Sequence, residues 1–343
     1  MAAAVHDTPV PLHALFQRRV NGDDALLRLA RLRFEQFGLA AEIYAGSAAE
    51  LKHTIAFVPT GTRLPMVHLS RGTDLLRAAD RADVVALVRR FGGRVSGFVV
   101  HDRLDMPARL SEFQAAAAEM SRALVETGTA RLFVEYAAGS QPAEFVTMGA
   151  ALDAIPQVGL CIDTGHVGIR ESRRAFARLR PDVTVDLAHL EPGDPGLPAL
   201  VDDVQSAVAA GLPAVLDLVA ALVQQGTPTH FHLHDGHPLI RGLSDHFGFQ
   251  NRLAIPFIHN GVRSLDPLFG VSGLRTILAA TQAFDAGQAS LTLEIHQVDA
   301  RLPLAGDAIA LFSDWRDLTN AERMNAWLAV LTEHAVLVAA LRP

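Results

Sequence analysis

Apolar positions follow two periods along this chain, close to 3.6 in the longer segments and two in eight short runs. The sharpest run is residues 158–163, where Val158, Leu160 and Ile162 alternate with Gly159, Cys161 and Asp163. Such alternation marks a strand with two different faces. Similar runs at residues 10–16, 41–44, 64–70, 96–101, 131–136, 228–235 and 290–296 predict seven more strands. Helical segments fall between them. Asp23 or Asp24 can cap a helix with Leu26, Leu27, Ala30, Phe34 and Phe37 on its apolar side, stopped by Gly38. Further helices are predicted near residues 48–55 and 80–91. Ser111 with Gln114 has capping-box spacing and opens a helix to Gly128; Thr319 with Glu322 opens a closing helix through Trp327, Leu331 and Leu337.

Eight strands separated by helices predict an α/β fold, a (β/α)8 TIM barrel, because parallel neighbours need crossovers and helices supply them. The whole chain, residues 1–343, reads as one barrel domain. Two segments exceed the pattern. Residues 170–227, after the sixth strand, hold a strand-like piece at 183–187, a Pro/Gly loop at 192–198 and one or two helices; residues 236–275, after the seventh, form a loop rich in Gly, Pro and His. Both follow strands with candidate ligands, so both are expected to be lid or specificity insertions over the barrel mouth.

Composition narrows the class. At 343 residues, 50% hydrophobic and 20% charged, the chain suits a soluble globular enzyme acting on a small molecule. A net charge of −7 argues against a nucleic-acid partner, since phosphate backbones reward basic surfaces. One cysteine, Cys161, excludes an internal disulfide and any multi-cysteine metal site. The N-terminal residues lack a signal-like pattern and no uninterrupted apolar run approaches membrane-spanning length, so a cytoplasmic protein without a membrane partner is expected. A homo-oligomer stays open.

The strand tips carry the chemistry. Inward/outward parity turns His68, His101, Glu135, Asp163, Glu294 and the trio His230, His232 and His234 into the barrel, with His13 and Glu42 as candidates for the same role on the first two strands. A ring of buried imidazoles and carboxylates needs compensation, most simply by a divalent cation. The mixed oxygen and nitrogen donors suit Zn²⁺, Mn²⁺, Co²⁺, Fe²⁺ or Mg²⁺ alike. Several residues have plainer readings: His13, His189, His230 and His259 as hydrogen-bonded core histidines, Cys161 as packing, and Asp235 as either a ligand or a cap of the following turn.

The segments Phe133-Val134-Glu135, Val158 through His166, His232-Leu233-His234-Asp235 and Leu293-Glu294-Ile295 together resemble the xylose isomerase-like TIM-barrel superfamily. That superfamily spans sugar and sugar-phosphate isomerases and epimerases, inosose dehydratase-like enzymes and AP endonucleases of the endonuclease IV type. The likeness covers about residues 64–296, and the Cys-Ile-Asp-Thr-Gly-His string is its most specific part. It implies that Glu135, Asp163, His232 and Glu294 hold one metal, that His68 and His101 match further metal histidines, and that His166 matches a ligand of a third metal. Where the endonucleases place an Asp-x-His pair after strand seven, this chain has Asp245 and His246 adjacent.

Two activities follow from the resemblance as expectations. The first is a metal-dependent isomerase or epimerase of a small sugar, sugar phosphate or inositol-like substrate, proceeding through an enediolate. Glu135 and Glu294 would be its base and acid; His68, His101, His166 and His234 would hold hydroxyls or phosphate, with Arg71 and Arg103 as anion partners. The alternative is a two- or three-metal phosphodiester hydrolase, with His68 and His101 joining Glu135 on one metal and His166, Asp245 and His246 on another. A third reading is a barrel that binds a ligand without catalysis.

Overall fold

The computed structural model describes residues 10–16, 23–59, 63–137, 139–190, 194–239, 246–250, 253–258, 261–295 and 320–342. Eight parallel strands close into a barrel: β1 (Leu12–Leu15), β2 (Ala40–Ala45), β3 (Met66–Leu69), β4 (Gly97–His101), β5 (Arg131–Glu135), β6 (Val158–Asp163), β7 (Thr229–Leu233) and β10 (Ala289–Leu293), which pairs back onto β1. The outer layer comprises α1 (Asp24–Phe37), α2 (Ala48–Ile55), α3 (Ala78–Phe91), α4 (Leu110–Thr127), α5 (Pro142–Ala151), α6 (Thr164–Leu179), α7 (Leu197–Val208), α8 (Gly211–Gln225), α9 (Gly270–Thr281) and α10 (Asn320–Leu341). The predicted (β/α)8 architecture is therefore the observed one.

Local chemistry explains most boundaries. The Asp23 carboxylate accepts from the amides of Ala25 and Leu26, both at 3.1 Å, and Gly38 ends α1 in the left-handed region at φ 64°. Ser47 caps α2 through the Glu50 amide at 3.1 Å. The Ser111 capping box does not form: α4 starts at Leu110 after a short 3-10 turn, leaving Ser111 inside the first helical turn. A capping box absent from the sequence reading occurs at Gln141 and Glu144, where Pro142 opens α5. Thr319 lies outside the described residues.

Strand parity sorts the core into two parts. Outward residues such as Val67, Val134, Leu160, Ile162, Phe231 and Leu291 are buried against the helices, and Met66, Val99, Phe133 and Cys161 form a separate packed layer inside the barrel. Cys161 is therefore a packing residue. Above that layer the inward side is polar.

The insertions differ from expectation in detail. Residues 183–187 form no strand, because the chain there turns into a 3-10 segment, Leu187–His189, with the Asp186 carboxylate accepting from the Ala188 amide at 2.9 Å. Two helices, α7 and α8, follow before β7. After β7 the chain builds an antiparallel hairpin, β8 (Leu253–Ile258) with β9 (Gly261–Leu265), rather than an unstructured loop. Phe176, Leu197, Val201, Leu239, Phe247 and Leu265 pack the two insertions into one satellite core. The post-β7 segment is tied to α10, where the Phe249 amide donates to His334 Nε2 at 2.9 Å.

By length and mean apolarity alone, the helical stretches Leu197–Gln225 and Met324–Leu341 are long enough to cross a membrane, but neither is an uninterrupted apolar run, since Asp202, Asp203 and Asp217 break the first and Glu333 the second. Both stretches pack in the helical layer: α7 and α8 lie on α6, and α10 lies on α1 and α9.

Candidate metal centre

Register brings the predicted tips to one end of the barrel. His101 pairs with Glu135 across β4–β5, Asp163 with His232 across β6–β7, and Tyr44 with His68 across β2–β3. Glu294 follows β10 by one residue, its amide donating to the Leu233 carbonyl at 3.1 Å. The side chains then converge. His68 Nε2 lies 2.8 Å and His101 Nε2 3.2 Å from Glu135 Oε2; His232 Nδ1 lies 3.0 Å from Glu294 Oε2 and 3.6 Å from Glu135 Oε1. On the other flank His234 Nε2 is 2.7 Å from Asp163 Oδ1 and His166 Nδ1 is 3.1 Å from Asp163 Oδ2. His246 stacks on His234 with ring centroids 3.7 Å apart, and its Nδ1 lies 3.6 Å from Glu294 Oε1.

These groups form four overlapping sets, each with ligand atoms mutually within 4.8 Å; three of them together include every group, namely His68, His101 and Glu135; Glu135, Asp163, His232 and Glu294; and Asp163, His166, His234 and His246, while the fourth joins His68, His232 and Glu294. Glu135 and Asp163 each belong to two sets. The predicted residues are thus assembled, except that Asp245 lies outside the described residues. Arg71 and Arg103 belong to none of the sets. The Arg103 guanidinium instead donates to the Arg71 carbonyl at 3.4 Å, on the loops after β4 and β3.

A divalent ion fits this donor set. His232 has no exposed surface, and neither ring nitrogen has a hydrogen-bond partner, although carboxylates lie close to both. Buried carboxylates crowded around one imidazole need a balancing positive charge, and a cation at Nδ1 would supply it. His68 and His234 carry a further ligand signature. Each places Nδ1 2.9 Å from a backbone carbonyl, Leu69 and Asp235 respectively, which leaves Nε2 to face the centre.

Electrostatics reflects the crowding. Burial by itself would raise the Glu135 carboxyl, but the imidazoles of His101, His232 and His68 outweigh it and hold it well below the usual carboxylate range. Burial opposes protonation of the histidines, yet Glu135 raises His68, Asp163 raises His234, and the carboxylates of Glu42, Glu294 and Glu135 raise His232. A cation takes a neutral ring, so its uptake below those raised values displaces protons. Metal affinity is therefore expected to climb with pH and level off once the rings are neutral. Calorimetry at pH 7 in two buffers of different ionisation enthalpy should give different binding heats; equal heats would sink this expectation.

Two nearby residues escaped the sequence reading or were left open by it. Tyr44 turns inward on β2, its hydroxyl donating to Glu294 Oε1 and its ring stacked on His68 at 4.2 Å; parity alone could have placed it beside the inward Glu42. Asp235 resolves as a cap. Its carboxylate accepts from the amides of Gly236 at 2.8 Å, Phe269 at 3.1 Å and Gly270 at 2.7 Å, pinning the start of α9. Asp235→Ala is accordingly expected to lower stability by about 3 kcal/mol, the scale of buried donors left without a charged acceptor, while leaving metal content unchanged. Urea unfolding and elemental analysis of the same sample would check both halves.

The plainer histidine readings divide. His13 is buried, 3.2 Å from the Leu64 carbonyl, and His230 is fully buried and hydrogen-bonded, as a core role requires. His189 is not a core residue: it sits on the surface, 2.9 Å from Asp186, because the 183–187 strand that would bury it is absent. His259 lies outside the described residues.

Fold and centre together define a parallel (β/α)8 barrel with imidazole and carboxylate clusters that could hold metal ions at the C-terminal mouth. No protein-family model matches the chain, and no curated protein matches it.

Proposed function

We propose that this chain is a divalent-metal-dependent enzyme with a polynuclear centre, a hydrolase of phosphoesters. The observation that carries the reading is the sharing of Glu135 and Asp163 between adjacent clusters, which sets donor groups sufficient for more than one cation side by side. His68, His101 and Glu135 would hold one cation, Glu135, Asp163, His232 and Glu294 a second, and Asp163, His166, His234 and His246 a third. When bound, such cations polarise phosphoryl oxygens and acidify water.

The chain's own groups orient that chemistry. The Leu69 and Asp235 carbonyls fix the rings of His68 and His234, and the Tyr44 hydroxyl fixes Glu294. Burial of the carboxylates and imidazoles excludes water from everything but the open side, where His101 is partly exposed. The third position takes His246 from the post-β7 segment, and we propose that this insertion, with the α7–α8 insertion packed on it, closes the site.

The isomerase expected from the resemblance is the second reading. It is favoured by the middle cluster, complete in itself, with Glu135 and Glu294 both approaching His232 Nδ1, and by the net charge of −7. Glu135 and Glu294 would then carry the substrate proton on their carboxylate oxygens. Elemental analysis combined with two assays separates the readings. Two or three ions per chain and chelator-sensitive cleavage of bis(4-nitrophenyl) phosphate support the hydrolase; one ion with metal-dependent deuterium incorporation into ketoses replaces it by the isomerase.

A further inference from the structure

Below the centre, inside the barrel, lies a second polar layer that none of the three clusters uses. Glu42 on β2, His230 on β7 and Thr292 on β10 are all fully buried there. Glu42 Oε2 accepts from the Thr292 hydroxyl and lies 3.3 Å from His230 Nε2; Glu42 Oε1 lies 3.0 Å from His232 Nε2. Glu42, His230 and His232 are close enough to share a cation, but His230 is already committed. Its Nδ1 is 2.7 Å from the Ser290 hydroxyl and its Nε2 is 3.0 Å from the Thr292 hydroxyl. This layer is a support rather than an ion site.

We infer that Glu42 is a positioning residue that selects the metal-ligating nitrogen of His232; the inference rests on the metal centre proposed above. His232 stands between two layers of carboxylate, with Glu294 and Glu135 facing Nδ1 and Glu42 facing Nε2. A neutral imidazole carries one proton. For Nδ1 to ligate, that proton sits on Nε2, against Glu42 Oε1. Glu42 cannot swing away, since its other oxygen is held by Thr292 and His230. At 3.0 Å the Glu42 carboxylate is close enough to His232 Nε2 to favour a proton there. A carboxylate behind a metal-bound histidine fixes its tautomer and raises its basicity, and losing such a partner typically weakens metal binding. Strand β2, which supplies no residue to the three clusters, thus shapes the middle one from beneath.

The test uses cobalt(II) as the probe, titrated into the full-length metal-free protein and followed by visible absorption, with nitrogen-15 NMR of the histidine rings reporting the tautomer. Glu42→Gln is expected to weaken the middle site about 10- to 100-fold and to shift His232 towards the Nδ1–H form. Thr292→Val, which frees Glu42 without touching His232, should weaken it about fivefold, and it decides the matter if Glu42→Gln does not fold. Wild-type protein that takes up no cobalt removes the metal centre itself. Wild-type uptake with unchanged affinity and tautomer in the folded variants overturns the role of Glu42 alone.

Discussion

Glu135→Gln is expected to disable the centre, with at least one equivalent of metal lost from the purified protein and turnover reduced on the order of 10³-fold, the equivalent of roughly 4 kcal/mol of Lewis-acid stabilisation. No other change removes as much. Glu135 Oε2 faces His68 and His101 at 2.8 and 3.2 Å, and Oε1 faces His232 and His166 at 3.6 and 3.9 Å. Glutamine keeps the shape but turns an amide donor towards one pair and carries no negative charge to balance a cation. It also removes the counter-charge that raises His68, so that ring returns towards ordinary imidazole behaviour. Elemental analysis beside a denaturant curve separates lost metal from lost fold. A folded Glu135→Gln protein with wild-type metal content and turnover would remove Glu135 from the centre.

Gly165→Ala should produce the second-largest effect, and a selective one. A Cβ built at residue 165 would lie 1.9 Å from Cε1 and 2.4 Å from Nδ1 of His234. The ring has nowhere cheap to go. Its Nε2 is held against Asp163 at 2.7 Å, its Nδ1 against the Asp235 carbonyl at 2.9 Å, and its face against His246. The added methyl therefore pushes His234 out of the cluster with Asp163, His166 and His246, and leaves the middle and first clusters in place. Loss of one metal equivalent and about a 10- to 100-fold fall in turnover are expected, the scale seen when a ligand's orientation is disturbed. Retention of every metal equivalent would show that His234 binds none. Alanine is a good helix former at this position in the first turn of α6, so the stability cost is that of the buried overpacking, about 1–3 kcal/mol, which a denaturant curve beside the metal analysis would read separately.

Much of this centre is legible in the sequence. Period-two alternation turned His68, His101, Glu135, Asp163, His232 and Glu294 inward correctly, because a strand with one face against helices cannot slip by a single residue without exposing its whole apolar set. Short polar motifs were less informative. Ser111 and Gln114 have capping-box spacing but lie past the true start of α4, and Val183 through Leu187 alternate like a strand yet find no neighbour to pair with. Both misreadings are local patterns overridden by context. Arg71 and Arg103 have the charge an anion partner needs, but charge does not say which way a loop side chain turns.

What alternation could not carry was depth. It places Glu42 and Tyr44 on the inward face of one strand, but not that one supports His232 from below while the other holds Glu294 from above. Depth depends on strand stagger around the closed barrel, which is set by pairings between residues far apart in the chain, such as His13 with Thr292 and Asp163 with His232. The same holds for the sharing of Glu135 and Asp163 and for the arrival of His246 beside His234. Which side chains face inward is a property of each strand alone; which of them meet was decided only when the barrel closed.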